Sequence, residues 1–133
     1  LKSAHEEILI TWFLEPGLVS AVFDKEQMRR ALVNLVQNSL NAVAKTGRPG
    51  RIDLTIKSLA GNILFMVRDN GCGISPEDGN NVFAPYFSKT SGGTGLGLSI
   101  VEKIVVDHGG KIWFESSADE TVFFMCLPVE TMA

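Results

Sequence analysis

The stretch from residue 69 to residue 98 opens with Asp-Asn-Gly-Cys-Gly-Ile (69–74) and closes with Gly-Gly-Thr-Gly-Leu-Gly-Leu (92–98). Glycines this densely placed let backbone N–H groups approach a ligand closely. The second cluster runs directly into an apolar helical pattern, and the free N–H groups at a helix start attract anions. The stretch therefore predicts a nucleotide or phosphate pocket, with residues 75–94 as a lid.

The composition is that of one ordinary globular domain. The chain has 133 residues, 45% of them apolar and 20% charged, which is enough for a core of its own. A net charge of −3 gives no indication of nucleic-acid binding, and no apolar run approaches the roughly 20 residues of a membrane span. Cys72 and Cys126 lack metal or redox spacing. Because residue 1 is Leu1, we expect a cytoplasmic domain cut from a longer protein, without membrane contact of its own.

The apolar patterns predict the order β-β-α-β-β-(short α)-α-β-β. The predicted strands are residues 8–15, 18–23, 52–57, 63–68, 111–116 and 121–127. The first two are joined by the turn at Pro16-Gly17 and read as a hairpin. Helices are predicted at about 25–45 and 95–108, with a short one after Ser75. Many strands and few helices favour an α+β fold, with helices on one face of a mixed sheet.

The first predicted helix has an apolar face and an amide face. Asp24 is a suitable N-cap, with Gln27 three residues later. The apolar face is predicted to contain Met28, Leu32, Leu35, Val36, Ser39 and Val43. The amide face contains Asn34, Asn38 and Asn41, at spacings of four and three residues. Because asparagine is a mediocre helix former, this row is either a solvated stripe or a surface facing a polar ligand or a hydrated metal.

Two common glycine motifs do not fit. A P-loop ends in Gly-Lys-Ser/Thr, but Gly97 is followed by Leu98. A dinucleotide fingerprint needs G-x-G-x-x-G directly after a strand, whereas residues 93–97 read G-x-G-x-G after a polar linker. The sequence therefore excludes both of these phosphate binders.

The remaining residues suit ATP. Asp69, at a strand end, can only accept hydrogen bonds when ionised, so it can hold the exocyclic amine of adenine, where guanine presents a carbonyl. Gly71 and Gly73 would let the backbone pass under the base. Asn38 offers a neutral oxygen to Mg²⁺, which prefers hard oxygen ligands. N–H groups between residues 93 and 98 can wrap the phosphates.

Four motifs in this order resemble the ATP-binding catalytic domain of sensor histidine kinases, in the superfamily shared with DNA gyrase, HSP90 and MutL. They are NLVQNSLNA (34–42), DNGCGI (69–74), FAPYF (83–87) and GTGLGL (93–98). The resemblance extends from about residue 8 to the end of the chain. It implies a two-layer α/β sandwich with a mixed sheet, the Bergerat-type ATP-binding fold.

The resemblance also implies roles for the matching residues. Asp69 with Gly73 would read adenine, and Ile74 and Phe87 would line the base and the lid. Asn34 and Asn38 would be the catalytic residues, with Asn38 as the Mg²⁺ ligand. The phosphate contacts would come from Asn41, Lys89, Gly93, Thr94, Gly95, Leu96, Gly97 and Leu98.

Some positions depart from the family's pattern. Asn41 stands where many kinases have Lys or Asp, and Ser39 replaces the usual Ala. Lys89 is displaced by one residue, so it either contacts a phosphate or is solvated. Phe83 either anchors the lid by packing or contacts the ligand. For Thr121, a contact with the adenine end through water is the less favoured alternative.

The position of Asn34 separates the possible reactions. ATP-hydrolysing members place a glutamate there as the general base for water, and an amide cannot accept that proton. The resemblance therefore implies transfer of the γ-phosphate from Mg-ATP to a histidine on a separate dimerisation and phosphoacceptor domain, with a response regulator downstream. The alternatives are a non-catalytic nucleotide-sensing module and an anti-sigma-type serine kinase.

Neither histidine of the chain is expected to accept phosphate. His5-Glu6 resembles the start of an acceptor motif but lacks the downstream proline. His108 follows a helix and is expected to interact with its dipole. We therefore expect the isolated chain to bind nucleotide without phosphorylating itself.

Overall fold

The structure is a computed structural model that describes residues 7–17, 23–79, 81–84 and 97–128. The elements are β1 (Ile8–Leu14), α1 (Lys25–Ala44), β2 (Gly50–Leu59), β3 (Asn62–Asp69), α2 (Pro76–Gly79), α3 (Gly97–Asp107), β4 (Lys111–Ser117) and β5 (Glu120–Pro128). Of the predicted strand at 18–23, residues 18–22 lie outside the described part, and Phe23 belongs to no strand. The predicted start of α3 at residue 95 also lies outside it.

The five strands form one mixed sheet in the order β1-β2-β3-β5-β4. β1 runs parallel to β2, with Ile8 beside Gly50, and the other neighbouring pairs are antiparallel. A parallel pair cannot be joined by a tight turn, so α1 makes the crossover between β1 and β2. The prediction of a mixed sheet is confirmed, and the described partner of β1 is β2.

Both long helices pack on the same face of the sheet. Their buried side chains meet alternate residues of β3 and β5, such as Val67 and Phe123, which point to that face because side chains alternate along a strand. The core is therefore one layer between helices and sheet, and the predicted α+β architecture is confirmed. No helix in the described ranges is long and apolar enough to cross a membrane.

The buried stripe of α1 differs slightly from the prediction. Met28, Leu35, Ser39 and Val43 are buried as expected, but Ala31 is buried as well. Leu32 and Val36, predicted on the inner face, are only half-buried. The sequence pattern favoured the large aliphatic positions, whereas the small Ala31 is completely buried on the same face of α1.

The ends of the helices follow local signals in the sequence. The Asp24 carboxylate accepts a hydrogen bond from the Gln27 amide at 3.0 Å. Gly109 follows α3 with a φ of 76°, the left-handed conformation that favours glycine. Both long helices therefore begin or end close to the boundaries predicted from the sequence.

The opposite face of the sheet carries an ionic network that crosses four strands. Thr11 donates to Asp53, which also pairs with Arg51 and Arg68, and Arg68 pairs with Glu120. Burial raises the pKa of Asp53, but the Thr11 hydroxyl and the two guanidinium groups outweigh it and hold that pKa below its ordinary value. Because the paired Arg51, Arg68 and Glu120 side chains are partly exposed, the network contributes little to stability.

Candidate nucleotide-binding site

Asp69 is the last residue of β3, as predicted, and its side chain is completely buried. It lies on the helix side of the sheet because it follows Phe65 and Val67 at alternate positions. Its neighbours across the sheet are Ile52 on β2 and Thr121 on β5. The fold therefore places a carboxylate at the end of a central strand, beneath the helices.

The two oxygens of Asp69 differ. Oδ1 accepts a hydrogen bond from the Gly71 amide at 2.9 Å, whereas Oδ2 is buried with no partner among the described residues. Burial raises the pKa of this carboxyl, and the Gly71 amide acts in the opposite direction. Buried polar atoms are rarely left unpaired. Oδ2 is thus an acceptor available to a ligand that brings its own donor.

A second buried polar atom in the described part of the chain also lacks a partner, the hydroxyl of Ser39. Ser39 lies on the buried face of α1 and is close enough to Asp69 to lower its pKa. The Ser39 hydroxyl and Asp69 Oδ2 are not hydrogen-bonded to each other or to another described residue. The two unpaired atoms therefore belong to one place in the structure.

The loop after β3 is docked on the last turn of α1. The Cys72 amide donates to the Ala42 carbonyl at 3.2 Å. A Cβ added to Gly71 would lie 2.7 Å from the Cβ of Ala42. Gly71 is therefore required by the packing of the loop on the helix, a reason that the sequence did not reveal.

Gly73 is required for a similar reason on the other side of the loop. Its φ is 76°, and an added Cβ would lie 1.9 Å from the carbonyl oxygen of Ser117. The next amide, that of Ile74, donates to the Ser116 hydroxyl at 2.7 Å, and this hydroxyl also contacts Thr121 Oγ1 at 2.8 Å. The loop is thus fixed between α1 and the β4–β5 pair, with Asp69 below it.

The asparagine row lies on α1, and all three side chains are half-buried. Gln37 donates to the Asn41 side-chain oxygen at 3.1 Å, which orients that amide. The side-chain oxygen of Asn34 lies 3.8 Å from the place that a Cβ on Gly97 would take. The fold therefore brings the start of α3 beside the asparagine row, two features that are 63 positions apart in the sequence.

Two apolar residues predicted near the ligand also belong to the core. Ile74 and Leu98 are partly buried and pack against the main cluster. Phe83 does the same, with its ring centre 6.3 Å from that of Phe114 and 6.2 Å from that of Phe123. For Phe83 this favours the packing role over a direct ligand contact.

Several predicted site residues lie outside the described part of the chain, and their roles stay predictions. They are Phe87, Lys89, Gly93, Thr94, Gly95 and Leu96, together with His5. Conversely, sequence reasoning missed Gln37, Ala42 and Ser116, which hold the site's backbone or side chains. Alternation along β4 assigns a face to Ser116, but nothing in the sequence pairs it with Ile74.

A magnesium site would have few protein ligands. The described residues contain no cluster of three or more His, Cys, Asp or Glu side chains suited to a metal. Asn38 carries a neutral oxygen on the same helix face as Asn34. This suits Mg²⁺, which keeps several waters and takes most other ligands from substrate phosphates.

His108 has a structural role in which both ring nitrogens take part. Nδ1 lies 2.8 Å from the carbonyl oxygen of Ile104, so it carries the proton and donates. Nε2 accepts from the Asp24 amide at 3.3 Å. His108 therefore binds the last turn of α3, as expected, and also links it to the start of α1.

Comparisons with known proteins give one consistent family. The family model described as "Histidine kinase-, DNA gyrase B-, and HSP90-like ATPase" matches residues 23–131. The chain is 35% identical over 129 residues to the sensor histidine kinase ZraS of Klebsiella oxytoca. That alignment covers 96% of this chain but 27% of ZraS, so the chain spans about a quarter of that relative.

Solved structures show the same fold. The catalytic domain of histidine kinase ThkA superimposes with a TM-score of 0.80 at 34% identity, covering 92% of this chain and 79% of that one. ThkA in complex with the response regulator TrrA gives 0.75 at 31% identity, covering 92% and 34%. Full-length ShkA in complex with AMPPNP gives 0.84 at 27% identity, covering 98% and 28%. This chain belongs to the histidine kinase-, DNA gyrase B- and HSP90-like ATPase family, and the relatives it matches are sensor histidine kinases and their catalytic domains.

Proposed function

We propose that this chain binds Mg-ATP and donates the γ-phosphate to a histidine on a separate dimerisation and phosphoacceptor domain, in two-component signalling. The observation that carries the proposal is the buried Asp69 carboxylate, with one oxygen unpaired at the end of β3. The AMPPNP-bound ShkA supports a nucleotide in this fold, and the ThkA–TrrA complex supports a response regulator as the downstream partner.

Base recognition follows from the chemistry of Asp69. The unpaired Oδ2 accepts a hydrogen bond from the exocyclic amine of adenine, while Oδ1 stays held by the Gly71 amide. Guanine presents a carbonyl at the same position, which faces the carboxylate unfavourably. The buried carboxylate discriminates strongly between the two bases, because a ligand without the amine donor leaves Oδ2 unpaired.

The phosphates would lie toward Asn34 and the start of α3. Asn34 Oδ1 is near Gly97, where the first amides of α3 are available to an anion. Asn38, one turn further along α1, would supply the protein's oxygen ligand to Mg²⁺. Bound Mg²⁺ would neutralise charge on the phosphates, which is the main requirement in phosphoryl transfer.

The phosphate acceptor belongs to another domain. The Asn34 amide cannot act as general base for water, which argues against hydrolysis as the main reaction. His108 uses both ring nitrogens in bonds within the chain, so it does not serve as a nucleophile. A histidine supplied by a partner needs no base here, since its neutral ring nitrogen attacks directly.

Phosphotransfer in trans tests this function. The chain is incubated with γ-labelled ATP, with and without a phosphoacceptor domain from a related kinase such as ThkA. We expect no label on the chain alone and an acid-labile label on the acceptor histidine when both are present. Label on His5 or His108 would contradict the proposal. Acid-stable label on a serine would favour the serine-kinase alternative, and tight binding without transfer would favour the sensing module.

Asn38→Ala is expected to weaken only the magnesium-dependent part of binding. Loss of one oxygen ligand should reduce ATP affinity about tenfold with Mg²⁺ and change it little in EDTA. Calorimetry under the two conditions measures the difference. Asn62→Ala, at the end of β3 away from Asp69, is the matched control and should leave both affinities unchanged. Equal losses with and without Mg²⁺ would remove Asn38 from the metal site.

A further inference from the structure

Ser39 and Asp69 carry the two buried side-chain atoms that lack a partner within the described ranges. They come from adjacent elements. Ser39 is on α1, and Ala42, less than one turn later, contacts the Gly71 residue whose amide binds Asp69 Oδ1. The helix therefore presents the Ser39 hydroxyl above the end of β3. Two buried polar atoms without partners lower the stability of the fold, whereas apolar groups would not. Their presence at one place therefore requires an explanation.

The helix itself does not provide that reason. A buried serine within a helix usually donates to the carbonyl four residues earlier, and the Ser39 hydroxyl does not. Alanine would fill the position with a better helix propensity and no polar atom to satisfy. The hydroxyl is therefore explained neither by helix formation nor by packing, which leaves its neighbour Asp69.

We propose that Ser39 is a positioning residue for base recognition: a rotation of its side chain lets the hydroxyl donate to the Asp69 carboxylate and orient it toward the exocyclic amine of the base. The direction is fixed by chemistry, since an ionised carboxylate only accepts and the hydroxyl has one proton to donate. With the Gly71 amide on Oδ1 and the Ser39 hydroxyl turned toward it, the carboxylate would be held from two sides. The inference rests on the proposed nucleotide function and adds a residue to it.

The charged surroundings of Asp69 are few. Burial raises the pKa of Asp69, and the Gly71 amide, Ser39 and Arg68 lower it, while Glu120 raises it. Arg68 and Glu120 form an ion pair with each other, so their effects on Asp69 largely oppose one another. From α1 the group that acts on Asp69 is Ser39. Removing the hydroxyl should therefore raise the pKa of Asp69 further.

The consequence for binding has a definite sign. The base amine needs an ionised Asp69, so nucleotide affinity falls as the pH falls through the pKa of this group. Ser39→Ala raises that pKa and moves the fall in affinity to higher pH. A residue needed only for packing would lower stability but leave the shape of the pH profile unchanged.

The test combines three variants and two measurements. Ser39→Ala removes the donor, Ser39→Cys replaces it with a weaker donor in a slightly larger side chain, and Ser58→Ala is the same change as the first at the far end of β2. ADP affinity is measured by calorimetry in EDTA across the acidic to neutral range, and the Asp69 carboxyl carbon is titrated by NMR without nucleotide. We expect Ser39→Ala to bind ADP about tenfold more weakly at neutral pH.

We also expect the Asp69 titration of Ser39→Ala to move to higher pH, with Ser39→Cys intermediate and Ser58→Ala like the wild type. The inference would be overturned if the Asp69 titrations of the wild type and Ser39→Ala superimposed, or if their affinity profiles had the same shape. In that case, ADP binding by the wild type would still support the proposed function. If the wild type binds no ADP, the proposed function fails, and the nucleotide-free titration still decides whether Ser39 acts on Asp69.

Discussion

Asp69→Asn is expected to abolish measurable ADP binding, with a loss in affinity of at least about a hundredfold. The amide keeps one acceptor oxygen, which the Gly71 amide already occupies, and directs an NH₂ group toward the place of the exocyclic amine. Two donors then face each other in a buried site. Calorimetric titration with ADP measures the effect, and Asp107→Asn, the same change at the exposed end of α3, is the control.

The same substitution should not weaken the fold. The pKa of Asp69 is raised by burial, so folding favours the protonated carboxyl. The contribution of this group to stability is therefore greatest at acidic pH and is lost as the pH rises through its raised pKa. Relative to the wild type, Asp69→Asn should gain stability from acidic to neutral pH, as measured by urea unfolding at both. Unchanged ADP affinity in a folded variant would remove Asp69 from the adenine role.

Gly73→Ala is expected to have the largest effect on stability, about 3 kcal/mol, from two causes that add. The positive φ costs an L-residue about 1–2 kcal/mol, and the Cβ would overlap the Ser117 carbonyl oxygen, which is backbone and cannot rotate away. The loop must shift, and the bond from the Ile74 amide to Ser116 with it. We therefore also expect ADP affinity to fall at least about tenfold, because the loop above Asp69 is displaced.

A matched control separates the two causes. Gly61, in the turn between β2 and β3, has a φ of 84° and nothing within 4 Å of an added Cβ. Gly61→Ala should show the conformational cost alone, about 1 kcal/mol, and unchanged ADP affinity. Urea unfolding of both variants gives the comparison. Equal destabilisation of the two would mean that the contact with Ser117 yields without cost, contrary to our expectation.

Local patterns predicted the elements well because their signals are local. The Asp24 cap, the Gly109 stop and the apolar runs of β3 and β5 each depend on neighbours within about four residues, which the sequence displays directly. The position of Asp69 at a strand end followed from the apolar run 63–68 that precedes it. The order of the four motifs then identified the family that the comparisons confirm.

The joining of these elements was not readable in the same way. The parallel pairing of β1 with β2 depends on the crossover through α1, and no residue pattern within β1 predicts it. The burial of Ala31 depends on the packing of α1 within the fold. The sequence offered Gly71 and Gly73 as flexible residues near a base, and only the packed loop shows that a Cβ would meet Ala42 and Ser117.

By itself, then, the sequence determined the α+β class, the limits of most described elements and the residue types suited to a nucleotide. Only the tertiary structure decided that Asp69 is wholly buried with one oxygen unpaired, that Ser39 stands above it, and that His108 links two helices. The physical reason is that burial and pairing are set by contacts between residues far apart in the chain. The sequence pattern of neighbouring residues contains propensity and periodicity. A side chain is desolvated only after the helices and the sheet have packed.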